Sequence, residues 1–262
     1  MNFTLPVKFE NGFSLDAGLA WEIGEYLAGE YIFADPYPHI VLDNFLPNDV
    51  AHLVLQNFPM QRLPNDVNYV GEYFEHNKRQ VLPYACNPIA LNAFLFFNSL
   101  PFLRFLEGLS RIDGLIPDPH FVGGGFHEIS SGGKLGIHAD FRIHTTMHLQ
   151  RRLNVLLYLN QDWKAEYGGF LELWDREMTR KVRSIEPIFN RCVIFNTDAD
   201  SFHGHPDPLN TPNGITRKSM ALYFYTASKG IYQEIPLKNT EFQARNEYEA
   251  QELISRKIRS KG

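Results

Sequence analysis

The chain is poor in cysteine: of its 262 residues only Cys86 and Cys192 carry a thiol. Two thiols cannot build the multi-bridge framework of a small secreted scaffold, and they fit a reducing compartment. A basic excess is missing too. The formal net charge is −5, which argues against a phosphate-binding surface and so against nucleic acid as a partner. No apolar run reaches membrane-spanning length unbroken. The most apolar segment, IALNAFLFFNSLPFLRFLEGL, is interrupted by Asn92, Asn98, Pro101, Arg104 and Glu107. Phe102, Phe105, Leu106 and Leu109 recur there at helical spacing, so a core-facing amphipathic helix is expected, not a membrane span. The opening MNFTLPVKFENGFSLD has no apolar core of the kind a signal peptide needs, and none is read. The expectation is a cytoplasmic protein with no membrane partner. No internal repeat, low-complexity tract or charge block stands out.

What is present is a globular balance, with 44% hydrophobic and 21% charged residues, in a chain long enough for a sizeable core. PYPHIVLDNFLPNDVAHLVLQNF reads as a short strand over His39 to Leu42, a turn, and a helix with Asn48 as its cap. A second helix is expected around 100 to 111. From residue 120 the texture changes. Short apolar runs alternate with Gly, Asn, Asp and Pro: HFVGGGFHEI, RLNVLLYLN, GGFLELWD, EPIFNRCVIF and RKSMALYFYT. That is the pattern of an all-β sandwich or barrel. With no linker strong enough to cut the chain, one domain over 1–262 is expected. It comprises a helical part over about 1–119, a β-core over about 120–228 and a polar helical tail over about 238–262.

The stretch GIHADFRIHTTMH, residues 136 to 148, concentrates three histidines and an aspartate. In a strand, residues i and i+2 share a face, so His138 and Asp140 present an imidazole and a carboxylate side by side. One more histidine would complete a two-His-one-carboxylate facial triad with open positions on an octahedral iron. Taken alone, His-x-Asp is a weak signal, and a pair bonded to each other or to a turn reads as well. Further along, DSFHGHPDPL supplies His203 and His205, and Arg217 opens the strand RKSMALYFYT. A buried arginine at a strand start needs an anionic partner, and its fixed fork of donors suits a carboxylate.

These pieces resemble the iron(II)- and 2-oxoglutarate-dependent dioxygenases, specifically their prolyl-4-hydroxylase-like branch. The resemblance runs over roughly residues 120 to 226 through GIHAD, RRLNVLLYLNQDW, GGFLELWD, IEPIFNRCVIFN, FHGHPDPL and RKSMALYFYT, in that order, with a weaker match in PHIVLDNFLP. It implies a mainly β fold with flanking helices around a double-stranded β-helix, the jelly-roll or cupin-like core. It implies iron ligation by His138, Asp140 and His203, with His205 as the competing distal ligand. It implies that Arg217 grips the far carboxylate of 2-oxoglutarate and that Tyr158 hydrogen-bonds the same co-substrate. The cofactors that follow are Fe(II), 2-oxoglutarate as co-substrate and O2, with ascorbate as a further candidate. The reaction that follows is hydroxylation of an unactivated C–H bond with release of succinate and CO2.

Strand parity adds cavity-lining candidates. Asn154 and Leu156 share a face with Tyr158, and Arg152 continues that parity. Ser219 and Tyr223 follow inward from Arg217. Plain core packing is the competing reading for Tyr158 and Tyr223. His144 and His148 are read as part of a solvated loop at the cavity mouth, with substrate contact as the competing reading. The polar, aromatic and unperiodic MQRLPNDVNYVGEYFEHNKRQ, 60 to 80, is read as a substrate lid. Substrate class stays open between a peptidyl proline and a small molecule, and so does oligomeric state. The alternative class is a non-catalytic or 2-oxoglutarate-independent cupin-like metal-binding protein or sensor, which would have no need of Arg217.

Overall fold

A computed structural model describes residues 1–63, 65–70, 74–227 and 240–259. Its core is one antiparallel sheet. Eight strands follow each other across it in the order Lys181–Ile185, Leu171–Trp174, His203–His205, Gly125–Ala139, Arg217–Thr226, Gln150–Tyr158, Cys192–Asn196 and His39–Leu42. Neighbours in space are rarely neighbours in sequence, which is the crossing connectivity of a jelly roll. The sheet curls because its central strand serves two partners. The first part of Gly125–Ala139 pairs with Arg217–Thr226, and the last part pairs with His203–His205. Between the two lie Gly132, at φ +77°, and Gly133. A Cβ on Gly133 would fall 2.4 Å from the Ile129 side chain. The SSGG stretch is thus the bend that lets one strand close two sides of a cavity.

Alternation along Gln150–Tyr158 divides the two faces. Leu153, Val155 and Leu157 join the hydrophobic core beneath the helices, whereas Asn154 and Leu156 face the cavity. The core is filled by Phe94, Phe97, Phe102, Phe105, Phe126 and Phe224, with Met220 and Leu222 from the sheet. The helix Leu100–Ser110 lies within one residue of its expected span and packs against the helix Ala17–Ile32. Asp16 caps the latter, accepting the Leu19 N–H at 2.8 Å. The helix at 48 starts one residue earlier than read: Asn48 is its first residue and Pro47 takes the cap position, without a side-chain bond. No single helix among the described residues is long and apolar enough to cross a membrane.

The two long helices touch backbone to backbone. A Cβ on Gly24 would sit 2.3 Å from the Phe105 carbonyl oxygen, and one on Gly108 would sit 2.6 Å from that of Trp21. Nothing flexible can yield there. Gly24→Ala is therefore expected to destabilise the fold by about 2–3 kcal/mol through overpacking. Thermal denaturation should show it as a midpoint lower by roughly 4–12 °C, while Gly29→Ala, with open space around it, should cost nothing of the kind.

Two expectations change here. The segment read as a lid contains a hairpin, Val67–Tyr69 with Glu75–Val81, whose second strand extends the sheet along Gly125–Ala139. Its anchor is Arg79, which pairs with Asp66 at 2.6 Å and Glu128 at 2.8 Å. Positions 64 and 71–73 of that segment lie outside the described residues. The tail begins with a strand, not a helix: Glu241–Phe242 pairs with Ala139 and His138, and the helix Glu247–Arg259 follows. Positions 228, 238, 239 and 260–262 of the expected core and tail lie outside the described residues.

Candidate metal centre

His138 and His203 stand directly opposite each other on adjacent strands, with ring centroids 4.5 Å apart. Asp140 follows His138 on the same face. One donor atom from each of the three can be chosen so that all lie within 4.8 Å of one another. His138 Nε2 is 3.7 Å from Asp140 Oδ1, and His203 Nε2 is 3.5 Å from Oδ2. These separations are too long for hydrogen bonds and short enough for the atoms to converge on one ion.

The tautomers fit that use. Nδ1 of His138 donates to the Gly136 carbonyl at 2.9 Å, and Nδ1 of His203 donates to that of Ser201 at 3.0 Å. Each ring is oriented by a backbone carbonyl in the manner of metal-binding histidines, with Nε2 toward Asp140. Burial pushes the His203 imidazole down to about 4, against the pull of Asp140, so the ring is neutral at physiological pH. Burial alone would raise the Asp140 carboxyl. The Arg151 guanidinium, followed by His203 and His138, outweighs it and holds the group far below the usual carboxylate range. Two imidazoles and one carboxylate are the donor set that suits a non-haem iron.

Asp140 is itself braced. Its Oδ2 accepts from Asn154 Nδ2 at 2.8 Å and pairs with Arg151 Nη2 at 3.1 Å. Arg151 in turn donates to Asn154 Oδ1 from Nε and Nη2, at 3.0 and 2.6 Å. It is 1% exposed and held between the rings of Tyr223 and Phe141, 3.5 and 4.6 Å from their centroids.

The triad opens into a cavity of about 490 Å³, a size that fits a small molecule. Arg217 also lines it and is buried. Its Nε donates to the Gly169 carbonyl at 2.8 Å and its Nη2 to the Tyr158 hydroxyl at 3.1 Å. Among the described residues no carboxylate pairs with it. Burial lowers its pKa, partly offset by Tyr158. A guanidinium left unpaired inside a cavity is costly unless a ligand brings the anion.

Of the residues read as cavity-lining, Asn154, Leu156, Ser219, Tyr223 and His205 are there. Tyr158 is fully buried and meets the site through Arg217, bonded to its hydroxyl and lying 4.9 Å from its ring centroid. Arg152 is a correction. Residues Phe224 and Tyr225 pair with Leu153 and Arg151, so the register skips position 152. That bulge reverses the parity, sends Arg151 into the cavity and leaves Arg152 bonded to Thr226 at 3.3 Å. His144 is a second correction: it is fully buried. Its Nδ1 accepts the backbone N–H of Thr146 and Met147, and its Nε2 lies 3.3 Å from Asp118. Sequence reasoning also missed Tyr69 and Lys78 from the hairpin and Phe242 from the tail, all at the cavity. Their pairing is non-local, and no local pattern announces it.

Fold and site together define a jelly-roll protein with a His-Asp-His set that could hold a metal ion and a buried arginine in the same cavity. The model of the 2OG-Fe(II) oxygenase superfamily, whose cofactors are iron(II), 2-oxoglutarate and O2, matches residues 124–225. Over those residues the chain is similar to that superfamily. It is 25% identical over 202 residues to the prolyl 3-hydroxylase OGFOD1 of Mus musculus, across 74% of this chain and 34% of that protein. It thus spans about a third of that relative's length. Its fold is similar to that of a prolyl hydroxylase from Trichoplax adhaerens, solved with a peptide of the hypoxia inducible factor oxygen degradation domain. The TM-score is 0.60 at 17% identity, over 81% of this chain and 94% of that one. A Pseudomonas putida prolyl-4-hydroxylase gives 0.54 at 18% identity, over 78% and 99%.

Proposed function

We propose that this chain is an iron(II)- and 2-oxoglutarate-dependent hydroxylase acting on a prolyl residue of a peptide or protein. The observation that carries the reading is the pairing, in one cavity, of a convergent His-Asp-His set with an arginine that no carboxylate neutralises. The prolyl substrate is supported by the curated relative, a prolyl 3-hydroxylase.

In this reading His138, His203 and Asp140 would hold the iron, with Asp140 Oδ2 also braced by Asn154 and Arg151. Arg217 fixes the far carboxylate of 2-oxoglutarate, and the Tyr158 hydroxyl holds the guanidinium in place. Iron(II) with 2-oxoglutarate and O2 supplies the oxidant that inserts one oxygen atom into an unactivated C–H bond, the other leaving in succinate as CO2 is released. The protein supplies orientation and a shielded space. Ile129, Leu156 and Leu171 give that space apolar walls, and the Arg151–Tyr223 stack closes one side. A cupin-like protein working without 2-oxoglutarate would gain nothing from burying Arg217.

The test is anaerobic. Iron(II)-loaded protein given 2-oxoglutarate under argon should develop a weak visible charge-transfer band. Proline-containing peptides should then release succinate and gain one oxygen by mass. Arg217→Ala should raise the KM for 2-oxoglutarate roughly a hundredfold, with Arg217→Lys recovering part of the loss. Iron binding without the band would sink the 2-oxoglutarate reading. A band without peptide oxidation, alongside turnover of a free small molecule, would sink the prolyl reading alone.

A further inference from the structure

His205 is the one histidine in the cavity that nothing explains. It is 3% exposed, it lines the cavity, and neither ring nitrogen has a hydrogen-bonding partner among the described residues. The other cavity histidines are accounted for: His138 and His203 each bond a backbone carbonyl, and His127 Nε2 bonds that of Gly123 at 2.9 Å. A buried polar ring with both nitrogens idle costs free energy that a folded protein rarely leaves uncompensated.

Its position says what is missing. His205 lies two residues beyond His203 on the same strand, past a shift of register against the central strand, and both line the cavity. That step leads away from Asp140, opposite Leu135 on the central strand. Arg217 and Lys78 line the same cavity as His205. On its other side a cavity of about 130 Å³ brings Glu172 and Asp207 near, but those carboxylates are taken. Glu172 is bound by Lys181 at 2.7 Å and Trp174 Nε1 at 2.9 Å, and Asp207 by Arg245 at 3.1 Å.

We infer that His205 is a specificity-determining residue that donates its ring N–H to the far carboxylate of bound 2-oxoglutarate, alongside Arg217. This rests on the reading of the cavity as a 2-oxoglutarate site. The consequence is selectivity: Arg217 answers the carboxylate's charge, and His205 adds a directed donor that only a dicarboxylic 2-oxo acid can use. A 2-oxo acid of the same length with a methyl end leaves His205 as idle as it is in the free protein.

The experiment measures equilibrium binding to the iron(II)-loaded protein under argon, by titration calorimetry and by the visible band. The ligands are 2-oxoglutarate and 2-oxopentanoate, which has the same five carbons and no distal carboxylate. His205→Leu should raise the Kd for 2-oxoglutarate about tenfold to a hundredfold and leave that for 2-oxopentanoate within about threefold of wild type. His205→Gln, which keeps an N–H donor, should recover much of the loss and guards against a fold that merely gives way. An unchanged 2-oxoglutarate Kd in His205→Leu would assign the ring to water and overturn the inference. Equal losses for both acids in His205→Leu and His205→Gln would overturn it in favour of a packing role. Failure of the wild-type protein to bind 2-oxoglutarate at all would overturn the site reading together with the inference, and only the first two outcomes separate them.

Discussion

His203→Ala is expected to abolish iron binding and to lower turnover by at least about 10^3-fold, while the metal-free fold stands. The reason lies in the donor count. Removing one imidazole leaves His138 and Asp140, with no other convergent donor among the described residues to close the set. The fold survives because the metal-free ring contributes little to it. His203 is packed edge-on to Phe195 at 4.7 Å and makes one backbone hydrogen bond, so truncation should cost within about 2 kcal/mol. Iron stoichiometry and thermal denaturation of the metal-free protein separate the two effects. The same experiment on His205→Ala decides between the two histidines that the sequence offers as distal ligand. His205 lies outside the cluster of convergent donors and should keep its iron. If His205→Ala loses iron and His203→Ala retains it, the assignment is reversed and the proposed contact between His205 and 2-oxoglutarate falls with it.

The candidate ligands were legible because each is announced by short-range pattern. His-x-Asp is a two-residue strand repeat, and the late histidine and the arginine each stand at the edge of an apolar run. The sheet itself was legible for the same reason, since alternating runs with Gly and Asn punctuation report local extension. What the sequence hid is non-local. Phe242 stacks on Phe74 at 5.2 Å and lies 5.5 Å from the His138 ring, but it does so because Glu241–Phe242 pairs with Ala139 and His138, far away in the chain. Nothing in a polar tail signals that. His144 reads as loop because its neighbours are polar, yet two backbone N–H groups turned onto its Nδ1 let the ring be buried without an unpaired acceptor. The hairpin at 67–81 escaped notice because its strands are charged. Glu75, Lys78 and Arg79 are half-buried or buried there as ion pairs, not as apolar residues.

Arg151 is the sharpest case, and it carries the second large expected effect. Parity counted back from Tyr158 points to Arg152, and the bulge at that position hands the cavity to Arg151 instead. Arg151→Met removes the cation that holds Asp140 ionised and leaves a buried carboxylate with Asn154 as its remaining donor. Breaking one side of a buried pair costs about 3–5 kcal/mol, so the metal-free protein should melt roughly 6–20 °C lower. Iron affinity should fall about 10–100-fold, the usual penalty for losing the group that orients a ligand. Added iron should restore part of the lost stability, because the metal is itself a cation for Asp140 to face. Arg152→Met removes one hydrogen bond of 3.3 Å to Thr226 from a half-buried side chain and should cost about 1 kcal/mol or less, with iron affinity unchanged. The pair is informative because the two arginines are adjacent and chemically identical. Only the backbone register distinguishes them, so a large effect at 152 with none at 151 would mean an unbulged strand whose parity runs straight from Tyr158 to the metal.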